Sequence, residues 1–200
     1  MEYQTDERAS WFRRVSGSTA IEDTAKRAVE ALAMRGIPSL VCGGYVVQEY
    51  GYPRFTHDVD VIVPDVAEAY KILSISGFRP TRETPGLVGF MVDRENKVEL
   101  DLLPAGKTIG NAVVCFPVPT VLSKTLTLIS LEQLISLKLS SWESQPLLRA
   151  KDHSDVVELI LRSKLPRDLK VDIFVRKLYD DLWDGLAEAQ ARDPGDGKQA

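Results

Sequence analysis

Apolar residues recur along this chain with two periods, one near 3.6 and one of 2, and the switches between them outline the fold. Behind "TAIE", a capping box with Glu22 three residues after Thr19, the residues Ile21, Ala25, Ala28, Val29 and Leu32 return at helical spacing. Gly36 supplies the stop. "PSLVCGG" reads as a short buried strand ending in two glycines, and "YVVQEYG" as a two-turn helix closed by Gly51. "YPRFT" is a loop, since Pro53 forbids much else. "HDVDVIV" is the next strand, and "DVAEAYKILSISGF" a helix with Val66, Ala69, Tyr70 and Leu73 on one face. "LVGFMVD" and "KVELDLL" flank "DRENK" as a hairpin. From there the pattern turns helical: "SLEQLISLKLSSW", "RAKDHSDVVELILRS" and "RDLKVDIFVRKLYDDLW". Residues 1–17 look irregular, and the tail from Ala187 lacks apolar anchors and reads as disordered.

The expected fold class is therefore α/β (α+β): a small mixed β-sheet core flanked by helices over 19–120, then a C-terminal helical bundle over 121–186. The 200 residues, 44% hydrophobic and 27% charged, fit one such unit. No apolar run approaches the ~18 residues of a membrane span, and the first twenty residues hold no signal-peptide core. Cys42 and Cys115 form no zinc or disulfide spacing and read as buried free thiols. A cytoplasmic protein is the expectation. The net charge of −4 leaves any nucleic-acid contact to a local patch.

The chemistry concentrates at "DVDVIV". Strand alternation puts Asp58 and Asp60 on one face and Val59, Val61 and Val63 on the other. Two carboxylates about 4 Å apart repel by roughly 4 kcal/mol at an effective dielectric of ~20. A solvated strand entrance would relieve that; so would a hard divalent cation shared with a phosphate. Three neighbours favour the cation. Gly43 and Gly44, between a strand and a helix, let backbone amides approach a phosphate. Arg54 and Thr56 offer donors to phosphate oxygens. Asp101 stands inside the apolar strand "VELDLL", where a lone carboxylate is costly. Glu99 shares its face and reads as an edge-of-site charge.

A glycine pair, then D-x-D on the next strand, then one Asp on a later strand resembles the nucleotidyltransferase superfamily of DNA polymerase β. Its elements read here as Gly43-Gly44, thirteen intervening residues, Asp58-Val59-Asp60, and Leu100-Asp101-Leu102. "GGYVVQEYGYPRFTHDVDVIV", "ISLEQLISLKL" and "RAKDHSDVVEL" further resemble small bacterial nucleotidyltransferases of the AbiEii toxin type, over roughly residues 38 to 162. His57, beside the first Asp, departs from that pattern and reads as a rim residue.

The resemblance implies a nucleotidyltransferase core that moves an NMP from an NTP such as ATP to an acceptor, with Mg2+ or Mn2+. Asp58, Asp60 and Asp101 would be the catalytic metal ligands. Gly43, Gly44, Arg54, Thr56, Lys138 and Lys151 would bind the nucleotide. The acceptor would be tRNA, a cognate protein or a small molecule, and the resemblance extends to members of toxin–antitoxin and abortive-infection systems. The alternative is a non-catalytic binding module or antitoxin of the same fold. Arg149 and Asp152, at i and i+3, share a helix face, as do Asp152 and Asp155; His153 reads as a surface residue. "AGKT" at 105–108 is no P-loop, because the leading glycine position holds Asp101.

Overall fold

The computed structural model describes residues 18–82 and 86–192. Residues 1–17 and the tail past 192, expected to be irregular, lie outside the described residues. Helix α1 (Ser18–Ala33) buries Ile21, Ala25, Ala28, Val29 and Leu32, the periodic set. It already includes Ser18, so Thr19 lies within the helix and does not cap it. Its end is glycine-built: Gly36 takes φ +78, and the Ile37 amide reaches back to the Leu32 carbonyl at 3.1 Å.

Five strands follow: β1 (Leu40–Cys42), β2 (Asp58–Val63), β3 (Phe78–Pro80), β4 (Gly89–Asp93) and β5 (Glu99–Pro104). They form one mixed sheet in the order β1-β2-β5-β4-β3. β2 and β5 run parallel, and the other pairs are antiparallel. Between β1 and β2 lies α2 (Gly43–Glu49), and between β2 and β3 lies α3 (Val66–Ser74), capped by the Asp65 side chain on the Glu68 amide.

The sheet's two faces differ in kind. On one face Val59, Val61, Val63, Leu100 and Leu102 are fully buried, with α1 and α3 packed against it. There Gly89 has no room for a side chain, since a Cβ would stand 2.9 Å from Tyr70 and 3.2 Å from Val66. The opposite face carries Asp58, Asp60, Glu99 and Asp101.

Helix α3 stops at Ser74, short of the expected "ISGF". Gly77 at φ +98 turns the chain, and Phe78 opens β3. That strand escaped the sequence reading because it has three residues, one of them proline, as an edge strand tolerates.

Segment 127–129 lies alongside β1: the Val41 amide bonds to the Thr127 carbonyl at 2.8 Å, and the Ile129 amide to Val41 at 3.0 Å. Three helices come next, α4 (Leu131–Ser144), α5 (Ala150–Arg162) and α6 (Arg176–Arg192). A reciprocal capping box between Ser130 and Gln133 starts α4.

The expected helix over "RDLKVDIFVRKLYDDLW" begins only at Arg176, after a 3-10 turn at Ile173–Val175. Upstream, side chains of the helix, Arg176 included, join short backbone turns in satisfying the carbonyls. Tyr179 donates to Pro166, Trp183 to Leu165, and Arg176 to Leu169 and Arg167. α6 then continues to Arg192, past the Leu186 boundary read from the sequence. Among the described residues no helix is long and apolar enough to cross a membrane.

Candidate active site

The acidic face of the sheet opens into a cavity of about 390 Å³. Parallel pairing of β2 with β5 sets Asp60 beside Asp101 and Asp58 beside Glu99, all with the same facing. Asp58, Asp60 and Asp101 line the cavity together. Glu99 is exposed at the strand's start, an edge charge as expected.

Gly43 and Gly44 meet these acids at close range. Gly43 takes φ +72, and a Cβ there would fall 1.7 Å from Asp60 Oδ2, so the second carboxylate rests directly on the glycine turn. A Cβ on Gly44 would stand 2.4 Å from Thr56 Oγ1 and 2.8 Å from Arg54 Nη2. The turn has room for backbone alone.

Thr56 donates to Asp58 Oδ1 at 2.8 Å and so fixes that carboxylate. Arg54 is turned away from open solvent. Its Nε lies 2.7 Å from Asp155 Oδ1, and its Nη2 donates to Oδ2 at 2.9 Å, a fork onto one carboxylate. The Gln48 amide group donates to the Arg54 carbonyl at 2.5 Å and holds the loop against α2.

Lys138 on α4 is buried and bridges two acids of α5, Asp152 at 2.8 Å and Asp155 at 2.6 Å. Ser141 donates to the other oxygen of Asp152 at 2.8 Å. Lys151 and Arg149 are exposed and line the cavity mouth. His57 is exposed, while His153 is half-buried with its ring 4.5 Å from Trp142, not a free surface residue.

Electrostatics separate these groups. Burial, reinforced by Asp58 and Asp101, lifts the Asp60 carboxyl to about 7, with Lys138 opposing weakly. Burial, with Asp58 and Glu99, lifts Asp101 to about 6. Asp152 is also desolvated, yet the charge and hydrogen bond of Lys138 hold it below the usual range. Lys138 suffers the same burial, and Asp152 and Asp155 nonetheless keep it above its ordinary value.

Among the described residues the cluster Asp58, Asp60 and Asp101 thus lacks a dedicated basic partner, and its hard oxygen donors suit a divalent cation. Among the described residues no three His, Cys, Asp or Glu side chains are already gathered around one point as a closed metal cage. The acids share a cavity without forming a finished coordination sphere.

The rest of the cavity comes from a segment overhanging the sheet. The Val113 and Val114 amides both donate to the Ser140 hydroxyl of α4, at 2.8 and 3.0 Å. The Phe116 amide pairs with the Lys107 carbonyl. In this extended stretch side chains alternate: Val114 is buried and Phe116 half-buried, which turns Cys115 outward. Cys115 is therefore exposed, contrary to the expectation of two buried thiols; Cys42 is buried at the cavity floor.

Sequence reasoning missed Phe90, Phe116 and Ser141 in the cavity wall, and the pairing of Arg54 with Asp155. Phe90 was findable, because it stands in the hairpin position facing Asp101.

This is a nucleotidyltransferase-like fold: a small mixed sheet with a cavity on its acidic face and helices beyond it. No family model matches the sequence, and no curated protein does. The likeness is to solved structures. The solution structure of the antibiotic-resistance factor ANT(2'')-Ia matches with a TM-score of 0.54 at 13% identity, over 88% of this chain and 99% of that one. A crystal structure of ANT(2'')-Ia in complex with adenylyl-2''-tobramycin gives 0.49 at 15% identity, over 80% and 95%. An antigenic nucleotidyltransferase-like protein from Paracoccidioides brasiliensis gives 0.44 at 19% identity, over 86% and 89%.

Proposed function

We propose that the chain is a metal-dependent nucleotidyltransferase that moves an NMP from an NTP to a hydroxyl acceptor. The observation that carries this is the placement of Asp58, Asp60 and Asp101 in one cavity beside a glycine turn with no room for side chains. Asp58, Asp60 and Asp101 would hold Mg2+ or Mn2+. The ion would supply charge neutralisation of the polyphosphate and polarisation of the reacting oxygens.

Each residue then has a task. The amides after Gly43 approach the phosphates, at the start of α2. Thr56 keeps Asp58 oriented, and Gly43 lets Asp60 sit against the turn. Arg149 and Lys151 at the mouth meet the outer phosphates. Lys138 and Arg54 act one step back, through Asp152 and Asp155.

Asp101 takes the proton of the acceptor hydroxyl, whose oxygen bonds to the α-phosphorus. The bond from that phosphorus to the β-phosphate oxygen breaks, and pyrophosphate leaves. A carboxylate held beside the acceptor hydroxyl can serve as its base. Phosphoryl-type transfer asks mainly for positioning and electrostatics, and the cavity's groups are of that type.

The test is thermal stabilisation by each NTP with Mg2+ or Mn2+, followed by transfer of label from an α-labelled NTP to RNA, lysate protein or small molecules. NTP plus metal should raise the melting temperature, and Asp60→Asn should lose that gain. Stabilisation with no label transferred to any acceptor would favour the non-catalytic binding module.

A further inference from the structure

Strand order gives the cavity a direction. Neighbouring strands lie about 4.8 Å apart, and one row across the sheet reads Cys42, Asp60, Asp101, Phe90. The glycine turn follows β1 and marks the polyphosphate end. Asp60 comes next, then Asp101, and Phe90 stands on the far side of Asp101 from the nucleotide. An acceptor hydroxyl reaching Asp101 therefore brings the rest of its molecule over β4.

The wall changes character at that point. Val88 and Phe90 from β4 and its approach, Leu103 from β5, and Ile109 and Phe116 from the overhanging segment make it apolar and partly aromatic. The overhang is a built element, pinned by two amides on the buried Ser140 hydroxyl. Among the described residues this side of the cavity carries no carboxylate; the remaining cavity acid, Asp152, is engaged by Lys138 and Ser141. Phe90 has charge of both signs nearby: the Asp101 carboxylate, its cross-strand neighbour, and the Arg82 guanidinium, 4.9 Å from the ring centroid. An acceptor rich in hydrogen-bonding groups would find no polar wall here. A flat apolar body would find an aromatic surface next to the proposed base.

We propose that the strip from Asp101 to Phe90, roofed by Ile109 and Phe116, is the acceptor subsite. It takes a hydroxyl group on a flat, largely apolar small molecule, and Phe90 determines that preference. This rests on the transferase reading for the step that follows, in which the acceptor oxygen bonds to the α-phosphorus, its proton passes to Asp101, and pyrophosphate departs.

The test is saturation-transfer NMR on the full chain with 2-naphthol as the flat apolar probe. 2-Naphthol should bind the wild type and weaken about tenfold in Phe90→Ala, as expected for loss of one aromatic contact. Phe90→Leu, which keeps the apolar volume, should melt like the wild type and weaken binding less. The subsite is overturned if 2-naphthol fails to bind the wild type or if Phe90→Ala binds it equally well. A parallel melt with NTP and Mg2+ separates the two readings. Stabilisation without 2-naphthol binding sinks the subsite alone, and 2-naphthol binding without stabilisation sinks the transferase reading alone.

Discussion

Two sets of carboxylates lie at and behind this cavity, and they have opposite surroundings. Asp152 and Asp155 of α5 are matched by cations: Lys138 touches both, and Arg54 forks onto Asp155, whose side chain is 1% exposed. Asp58, Asp60 and Asp101 on the sheet have one another and a threonine hydroxyl, with no basic side chain in contact among the described residues. The first set holds the helical half to the sheet loop, linking residues 101 positions apart. The second leaves negative charge facing a void. A fold tolerates uncompensated charge where something else completes it, so on the transferase reading proposed above the first set is scaffold and the second workplace.

Substitution should separate them. The largest effect is expected for Asp60→Asn or Asp101→Asn: label transfer should fall by several orders of magnitude, while urea unfolding of the metal-free protein shows no loss of stability. A collapse of the fold in either variant would erase the contrast. Asp155→Asn should do the reverse. It strands the Arg54 guanidinium in a buried site and leaves Lys138 with Asp152 alone, at a cost of about 3–5 kcal/mol in chemical denaturation.

Lys151→Ala should lower kcat/KM about tenfold to a hundredfold, the loss of one charge-assisted contact to phosphate, with stability unchanged. A larger loss of stability than of activity would move Lys151 into the scaffold set.

The smallest effect is on the pH dependence of the metal-free protein. Asp60 and Asp101 hold their protons to about 7 and about 6 when folded, and release them near 3.8 when unfolded. Between pH 4 and 7 the folded state binds more protons, so stability should fall as pH rises through that window and level off above it. The melting temperature should drop by a few degrees from pH 5 to pH 8, and Asp60→Asn should flatten the slope.

The acids of the workplace were legible because local rules place them. Alternation puts Asp58 with Asp60, and an aspartate inside an apolar strand announces itself as Asp101 does. The scaffold was less legible, since Arg54 and Asp155 meet only after the helical half docks, and no spacing records that. The ion pairs of Lys138 were hidden for the same reason: its two counter-ions lie on the next helix. The late start of α6 was hidden because its side chains and short backbone turns, not its periodicity, satisfy the carbonyls before it.

Helix α4 sends three short polar side chains and one lysine into the interior. Ser136 receives the Asp172 amide, Lys138 clasps α5, Ser140 carries the overhang, and Ser141 steadies Asp152. A slide of that one rod by an ångström would reach the roof above Phe90 and the clasp behind Arg54 in the same stroke. Both ends of the chamber therefore keep time with each other, and neither can be retuned in isolation.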